Sequence, residues 1–166
     1  DPQNQITQAS QNVEIKLPVL HTLGSLSLTN QVGESIGLDS LRGKPWFANI
    51  IFTRCPGPCA QMTKQMRLLQ AKIPEESKAQ FVSISTDPEF DTPDVLQQYA
   101  RKFKADTNTW SFLTGTKEEI FRVATKELLL VLIEKEEAKR ESENDIFLHS
   151  TLTVLVDGLG RIRGSY

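Results

Sequence analysis

Cys55 and Cys59 are the only cysteines in this chain of 166 residues, and three residues separate them in Phe52-Thr53-Arg54-Cys55-Pro56-Gly57-Pro58-Cys59. An apolar run from Trp46 to Phe52 leads into the pair, and a helix-like segment from Gln61 to Lys72 follows. Both sulfurs should therefore stand where a buried strand ends and a helix begins. A helix N-terminus carries partial positive charge and free N–H groups. It favours thiolate over thiol, and thiolate is the form that binds metal or exchanges disulfides. Residues four apart share a helix face, so the spacing lets both sulfurs aim at one ligand. Structural zinc takes four Cys or His ligands, and two Cys with two His in separate sequence contexts do not supply such a set. A soft ion such as Cu(I) accepts two thiolates and one imidazole. A plain stabilising disulfide is the other reading, but so small a loop yields little chain-entropy benefit.

The elements around the pair read as alternating strands and helices. Leu26 and Leu28, followed by residues 29–36, predict a hairpin with a polar turn. Residues 38–41 form a short helical turn stopped by Gly43. Residues 46–52 predict a central strand, apolar on both faces as in a mostly parallel sheet. The helix after Cys59 ends near Pro74, and residues 81–85 make the next strand. Asp91-Thr92-Pro93 opens a helix to about Phe103, with proline in its first turn. Residues 110–113 are a short strand. Thr116 and Glu119 predict a capping box for a helix to about Thr125. Residues 128–133 predict a further strand, and 134–145 a solvated loop. Residues 146–156 and 161–166 predict a closing hairpin across 157–160. The fold class is α/β, with three layers.

Length and composition bound the function. One domain of this size buries a substantial core. With 39% hydrophobic and 24% charged residues and a net charge of −2, no basic patch marks a nucleic-acid binder. The longest apolar stretch of the second half, 128–133, is far too short to span a bilayer. Residues 1–12 are polar and Gln/Asn-rich, as in a linker left after a signal or anchor segment is removed. The domain is assigned to 13–166.

His149, in Phe147-Leu148-His149-Ser150, precedes an apolar strand and follows the charged segment. A single histidine at a strand edge is usually structural or exposed, and the same holds for His21. Met62 and Met66 share a helix face behind the cysteines, where core packing outranks thioether ligation. Residues 134–145 carry eight charged side chains besides Asp145 and no apolar side chain larger than Ala138. Such a segment cannot bury enough surface to order itself. It predicts a movable element beside His149.

Taken together, these segments resemble the Sco/SenC copper-binding proteins, which have a thioredoxin-like fold with a central mixed sheet flanked by helices. The matching residues are Leu38-Asp39-Ser40-Leu41-Arg42-Gly43-Lys44, Phe52 to Cys59, Ser83 to Pro93 with its Asp87-Pro88 and Asp91-Thr92-Pro93, and His149-Ser150. The resemblance runs from about Gly24 to Tyr166. It implies that Cys55, Cys59 and His149 hold one copper ion, Cu(I) or Cu(II). It further implies a metallochaperone for the copper centre of cytochrome c oxidase, with an oxidase subunit or another copper chaperone as partner. Such a protein works in the periplasm or otherwise outside the cytoplasm, anchored to the membrane through an N-terminal segment. The alternative implied is a thiol–disulfide oxidoreductase with Cys55 and Cys59 as its redox pair. A peroxidase of the peroxiredoxin kind expects threonine three residues before its cysteine, where Phe52 stands. The chain departs from the family in three ways. Pro56-Gly57-Pro58 replaces a segment that often carries an acidic residue, and Ala60 stands where proline is common. The sequence also stops at Tyr166, where the family continues into a helix; this predicts a truncated or unusual member.

Overall fold

The structure, a computed structural model, describes residues 16–166; the linker expected at 1–12 lies outside them. Two aromatic and two β-branched side chains, Trp46, Phe47, Ile50 and Ile51, make Trp46–Ile51 a strand (β4) that is buried at all but Phe47. Two short strands, His21–Thr22 (β1) and Ser27–Asn30 (β2), precede it, with Ser35–Gly37 (β3) and the helical turn Leu38–Leu41 (α1). Gly43, at φ 80°, takes the left-handed conformation that ends this turn. Beyond β4 come helix Cys59–Lys72 (α2), strand Gln80–Ser85 (β5), helix Pro93–Lys102 (α3) and strand Trp110–Thr114 (β6). Helix Lys117–Arg122 (α4) and a short ribbon, Leu132–Glu134 (β7) with Phe147–His149 (β8), follow. Val154–Val156 (β9) and Arg161–Ser165 (β10) close the chain.

Eight strands form one sheet in the order β1-β10-β9-β4-β5-β6-β2-β3. The pairs β4–β5 and β5–β6 are parallel and the other neighbours antiparallel. The sheet is mixed and helices flank it, as the family resemblance implied; only the pairs around β5 are parallel, so the mostly parallel sheet suggested by the apolar run 46–52 is not what forms. Its core is aromatic: Trp46, Trp110 and Phe112 are fully buried. A polar chain runs through it, with Trp110 Nε1 donating to Ser83 Oγ and Ser83 Oγ donating to Asn49 Oδ1, while Asn49 Nδ2 and Trp46 Nε1 are buried without a protein partner among the described residues.

The register of β4 against β5 places the site. Ile51 stands beside Ser85, and Thr86 N–H donates to Ile51 O at 2.8 Å. The loops leaving the two strands thus start level and side by side, outside the carboxyl ends of parallel strands, where α/β sheets commonly build their sites.

Four further sequence expectations change. The helix predicted to reach Thr125 runs instead through a π turn, Val123–Glu127, and ends at Leu129 in the left-handed conformation (φ 57°). The strand predicted at 128–133 therefore begins only at Leu132. The predicted strand 146–156 is two strands. Phe147–His149 pairs with β7 in a separate two-stranded sheet, and the chain crosses to the main sheet before Val154. Thr116 caps α4 by accepting from Glu119 N, but the reciprocal half of the box is missing, since the Glu119 carboxylate goes to Arg122 and Ser27 N.

Candidate metal centre

Cys59 is the first residue of α2 and is 1% exposed, while Cys55 lies outside the helix in the preceding turn and is half-buried. The two sulfurs do not meet on one helix face, as their spacing suggested. They meet because the chain turns before α2 opens, with Cys55 N–H donating to Phe52 O at 3.2 Å and Gly57 N–H to Cys55 Sγ at 3.3 Å. Thr63 Oγ1 donates to Cys59 O at 2.9 Å and pairs with Tyr99 OH, also at 2.9 Å. Those two buried hydroxyls pin the first turn of α2 to α3.

His149 ends β8. Its Nδ1 lies 2.9 Å from Ser150 O, an oxygen that only accepts, so the ring proton sits on Nδ1. The lone pair of Nε2 then points at Cys59 Sγ, 3.2 Å away. A backbone carbonyl on the distal nitrogen is the usual device for orienting a metal-binding imidazole. Phe52 packs edge-on against the imidazole and against Phe147, with ring centroids 5.9 and 5.4 Å apart. The sulfurs and an imidazole nitrogen all lie within 4.8 Å of one another, and they are the only such group of ligand atoms among the described residues. A cleft of about 200 Å³, lined by Phe52, Cys55, Pro56, Pro58, Leu148 and His149, leads to them.

The two thiols divide one proton unequally. The neighbouring Cys59 thiol holds the Cys55 thiol far below its usual range against the opposing cost of burial, and the Gly57 N–H, 3.3 Å from Cys55 Sγ, adds to the effect. Cys59 is pushed up by its neighbour Cys55 and by burial. The pair stands ready as one thiolate and one thiol.

The sequence reading missed the shell that holds this turn. Asp87 accepts from Arg54 Nε at 2.7 Å, and Phe90 lies under the Arg54 guanidinium at 4.7 Å. Asp91 accepts from Thr53 N at 3.0 Å, from Thr53 Oγ1 and from Ser85 Oγ. Burial pushes the Asp91 carboxyl up while these donors pull it down. The segment 83–93 carried the family resemblance, but local pattern does not announce hydrogen bonds across 33 and 38 residues. Met62 and Met66 are buried, as core packing required. His21 lies on β1, at one edge of the main sheet, 4.0 Å from Glu127. The segment 134–145 is tied by polar contacts rather than apolar ones. Lys135 Nζ bridges both oxygens of Asp145 at 2.7 Å, Asp145 accepts from Glu141 N, Arg140 donates to Lys135 O, and Glu137–Lys139 form a 3-10 turn.

The sequence model of the SCO1/SenC family matches residues 18–166. The chain belongs to that family. A SCO1 homologue from Bacillus subtilis (strain 168) is 32% identical over 155 residues, which is 92% of this chain and 77% of that protein. Among solved structures, a SCO1/SenC family lipoprotein from Bacillus anthracis str. Ames matches at 34% identity and a TM-score of 0.77, over 87% of this chain and 83% of that one. BsSco, a Sco family cytochrome c oxidase assembly protein in which a disulfide switch is identified, matches at 30% identity and 0.75, over 91% and 87%. ScoI of Bradyrhizobium japonicum with copper bound matches at 26% identity and 0.73, over 88% and 89%. The SCO1/SenC fold is thioredoxin-like, and the mixed sheet and flanking helices described above are that fold.

Proposed function

We propose that this protein is a copper carrier that holds one ion between Cys55 Sγ, Cys59 Sγ and His149 Nε2 and delivers it to a protein partner. The observation that carries the reading is the convergence of two thiols and a correctly protonated imidazole within 4.8 Å, on a turn reached from an open cleft. Thiolate sulfur selects a soft ion over the hard cations of the same medium, and the donor set fits copper without a fourth protein ligand. The copper-bound ScoI relative supports it. The partner in this reading is a protein of cytochrome c oxidase assembly, an oxidase subunit or a second copper chaperone, as the BsSco likeness supports. The setting is outside the cytoplasm, which fits the lipoprotein relative. Among the described residues no helix is long and apolar enough to cross a membrane.

A copper titration of the reduced protein tests this. One ion per chain is expected, with a sulfur-to-copper charge-transfer band for Cu(II). Wild-type protein that takes up no copper in the reduced state would overturn it.

The unequal thiols favour a second reading, thiol–disulfide exchange. The Cys55 thiolate would attack a partner disulfide and release one partner thiolate. Cys59, giving its proton to that leaving group, would then attack Cys55 Sγ and release the second partner sulfur. Two electrons pass to the partner and a Cys55–Cys59 disulfide remains. Fast metal-free turnover of mixed disulfides, with a small-molecule thiol regenerating the dithiol, would make this the main activity.

A further inference from the structure

Residues 53 and 54, immediately ahead of Cys55, are gripped from the neighbouring loop by two carboxylates. Of the two, Asp91 is wholly buried. It has three donors: Thr53 N–H, Thr53 O–H and Ser85 O–H. The loop that carries it is self-contained. Ser85 Oγ also accepts from Asp87 N at 3.0 Å, and Asp91 N–H donates back to Asp87 O at 2.8 Å. Thr92 then caps α3, so the carboxylate also sits at the positive end of a ten-residue helix. A buried carboxylate is costly unless its acceptors are filled. Here one residue, Thr53, fills two of the three, and it belongs to the cysteine turn.

We propose that Asp91 is a positioning residue for the dithiol, acting through Thr53 to fix the distance between Cys55 and Cys59. It touches neither sulfur. It holds the backbone from which Cys55 departs, as the start of α2 holds Cys59. Without that grip the turn 53–58 is free to let Cys55 approach Cys59. The disulfide then forms more easily, and the open arrangement that suits an ion is lost. The copper part of this proposal rests on the metal reading of Cys55, Cys59 and His149; the dithiol part does not.

Thr53→Val, Thr53→Ser and Asp91→Asn are compared with wild type. Two readouts are taken: the reduction potential of the metal-free dithiol and copper affinity by competition. In Asp91→Asn an N–H₂ faces donors, and in Thr53→Val the hydroxyl is gone from a side chain of the same shape. Both should move the potential in the negative direction and weaken copper binding about tenfold, the usual effect of losing an outer partner. Thr53→Ser keeps the hydroxyl and should recover most of the loss. The double variant should be no worse than Asp91→Asn alone, because the two residues act as one contact. If Asp91→Asn does not fold, Thr53→Val decides alone. A Thr53→Val protein with wild-type potential and affinity overturns the proposal. Should wild type take no copper while both variants still shift the potential, the metal reading falls and the positioning role stands.

Discussion

Cys55 and Cys59 stand between a six-residue strand buried along nearly its whole length and a fourteen-residue helix, whereas His149 ends a three-residue strand in a two-stranded ribbon. The first region is braced from three sides: by β4 below, by Thr63 and Tyr99 behind α2, and by Asp87 and Asp91 on the turn. The ribbon buries Leu132 and Phe147 on its inner face and leaves Ile133 and Leu148 exposed on the other. An isolated hairpin is marginal by itself, and regions with few buried contacts open at low cost. One site is thus made of a fixed dithiol and a less securely held imidazole. A carrier gains from that inequality, because one ligand can leave without disturbing the other two.

The largest effect that would test this contrast comes from the sulfurs. Cys55→Ser or Cys59→Ser should abolish tight copper binding in a competition assay, and wild-type affinity in either variant would break the assignment. His149→Ala should be milder in kind. Copper binding weakens by at least the hundredfold or so at the upper end for outer partners, while thiol–disulfide exchange, which needs only sulfur, stays near wild type. Equal loss of both activities would erase the distinction between the two regions. Hydrogen exchange sharpens it further. Copper should slow the amides at 146–150 more than those around Cys55, and profiles unchanged at 146–150 would show that the ribbon is not the mobile half. Lys135→Ala removes the strap to Asp145 and should speed exchange in the ribbon by up to about fivefold, the scale of an exposed ion pair, with no change in α2.

Acid gives the smallest effect, in the turn between β9 and β10. Burial raises the Asp157 carboxyl, but Arg161 and Arg163 outweigh it and hold the pKa at about 2, below the ordinary 3.8. A depressed carboxyl stabilises the fold fully above the ordinary value and loses that contribution as pH falls through about 2. Asp157→Asn should therefore lower the melting temperature at neutral pH and make little difference near pH 2, read by thermal melts at the two pH values.

Strong local signals were readable in advance. The apolar run into the cysteines, the Thr92-Pro93 helix start and the polar turn of the closing hairpin each depend on neighbours in sequence, and each lies where expected. The three residues that converge were also visible, though His149 gained weight only from the family resemblance. What failed depended on distant partners. The run 128–133 looked like a strand because Leu128 to Ile133 are all apolar, yet Leu128 N–H and Leu130 N–H still bond back to Val123 O and Ala124 O. The run 146–156 looked continuous because nothing local says that Ser150 pairs with Val131 while Thr153 pairs with Tyr166. Asp91 was missed for the same reason, its partners being fixed only once β4 and β5 lie in register.

The strand order has a consequence for how the protein is made. β9, which follows His149 in sequence, lies directly against β4, which precedes the cysteines. A chain emerging N-terminus first can pair β4 with β5 and wind α2 between them while the last fifth is still being synthesised. At that stage it displays two thiols and no imidazole. The imidazole of His149 joins them only when β9 and β10 close the sheet, a long-range pairing that is intrinsically slow. A nascent or misfolded molecule is thus chemically a dithiol, and only a finished one brings both sulfurs and the imidazole together, so on the copper reading proposed above the ion would be taken up fully only by molecules that have passed their own assembly test.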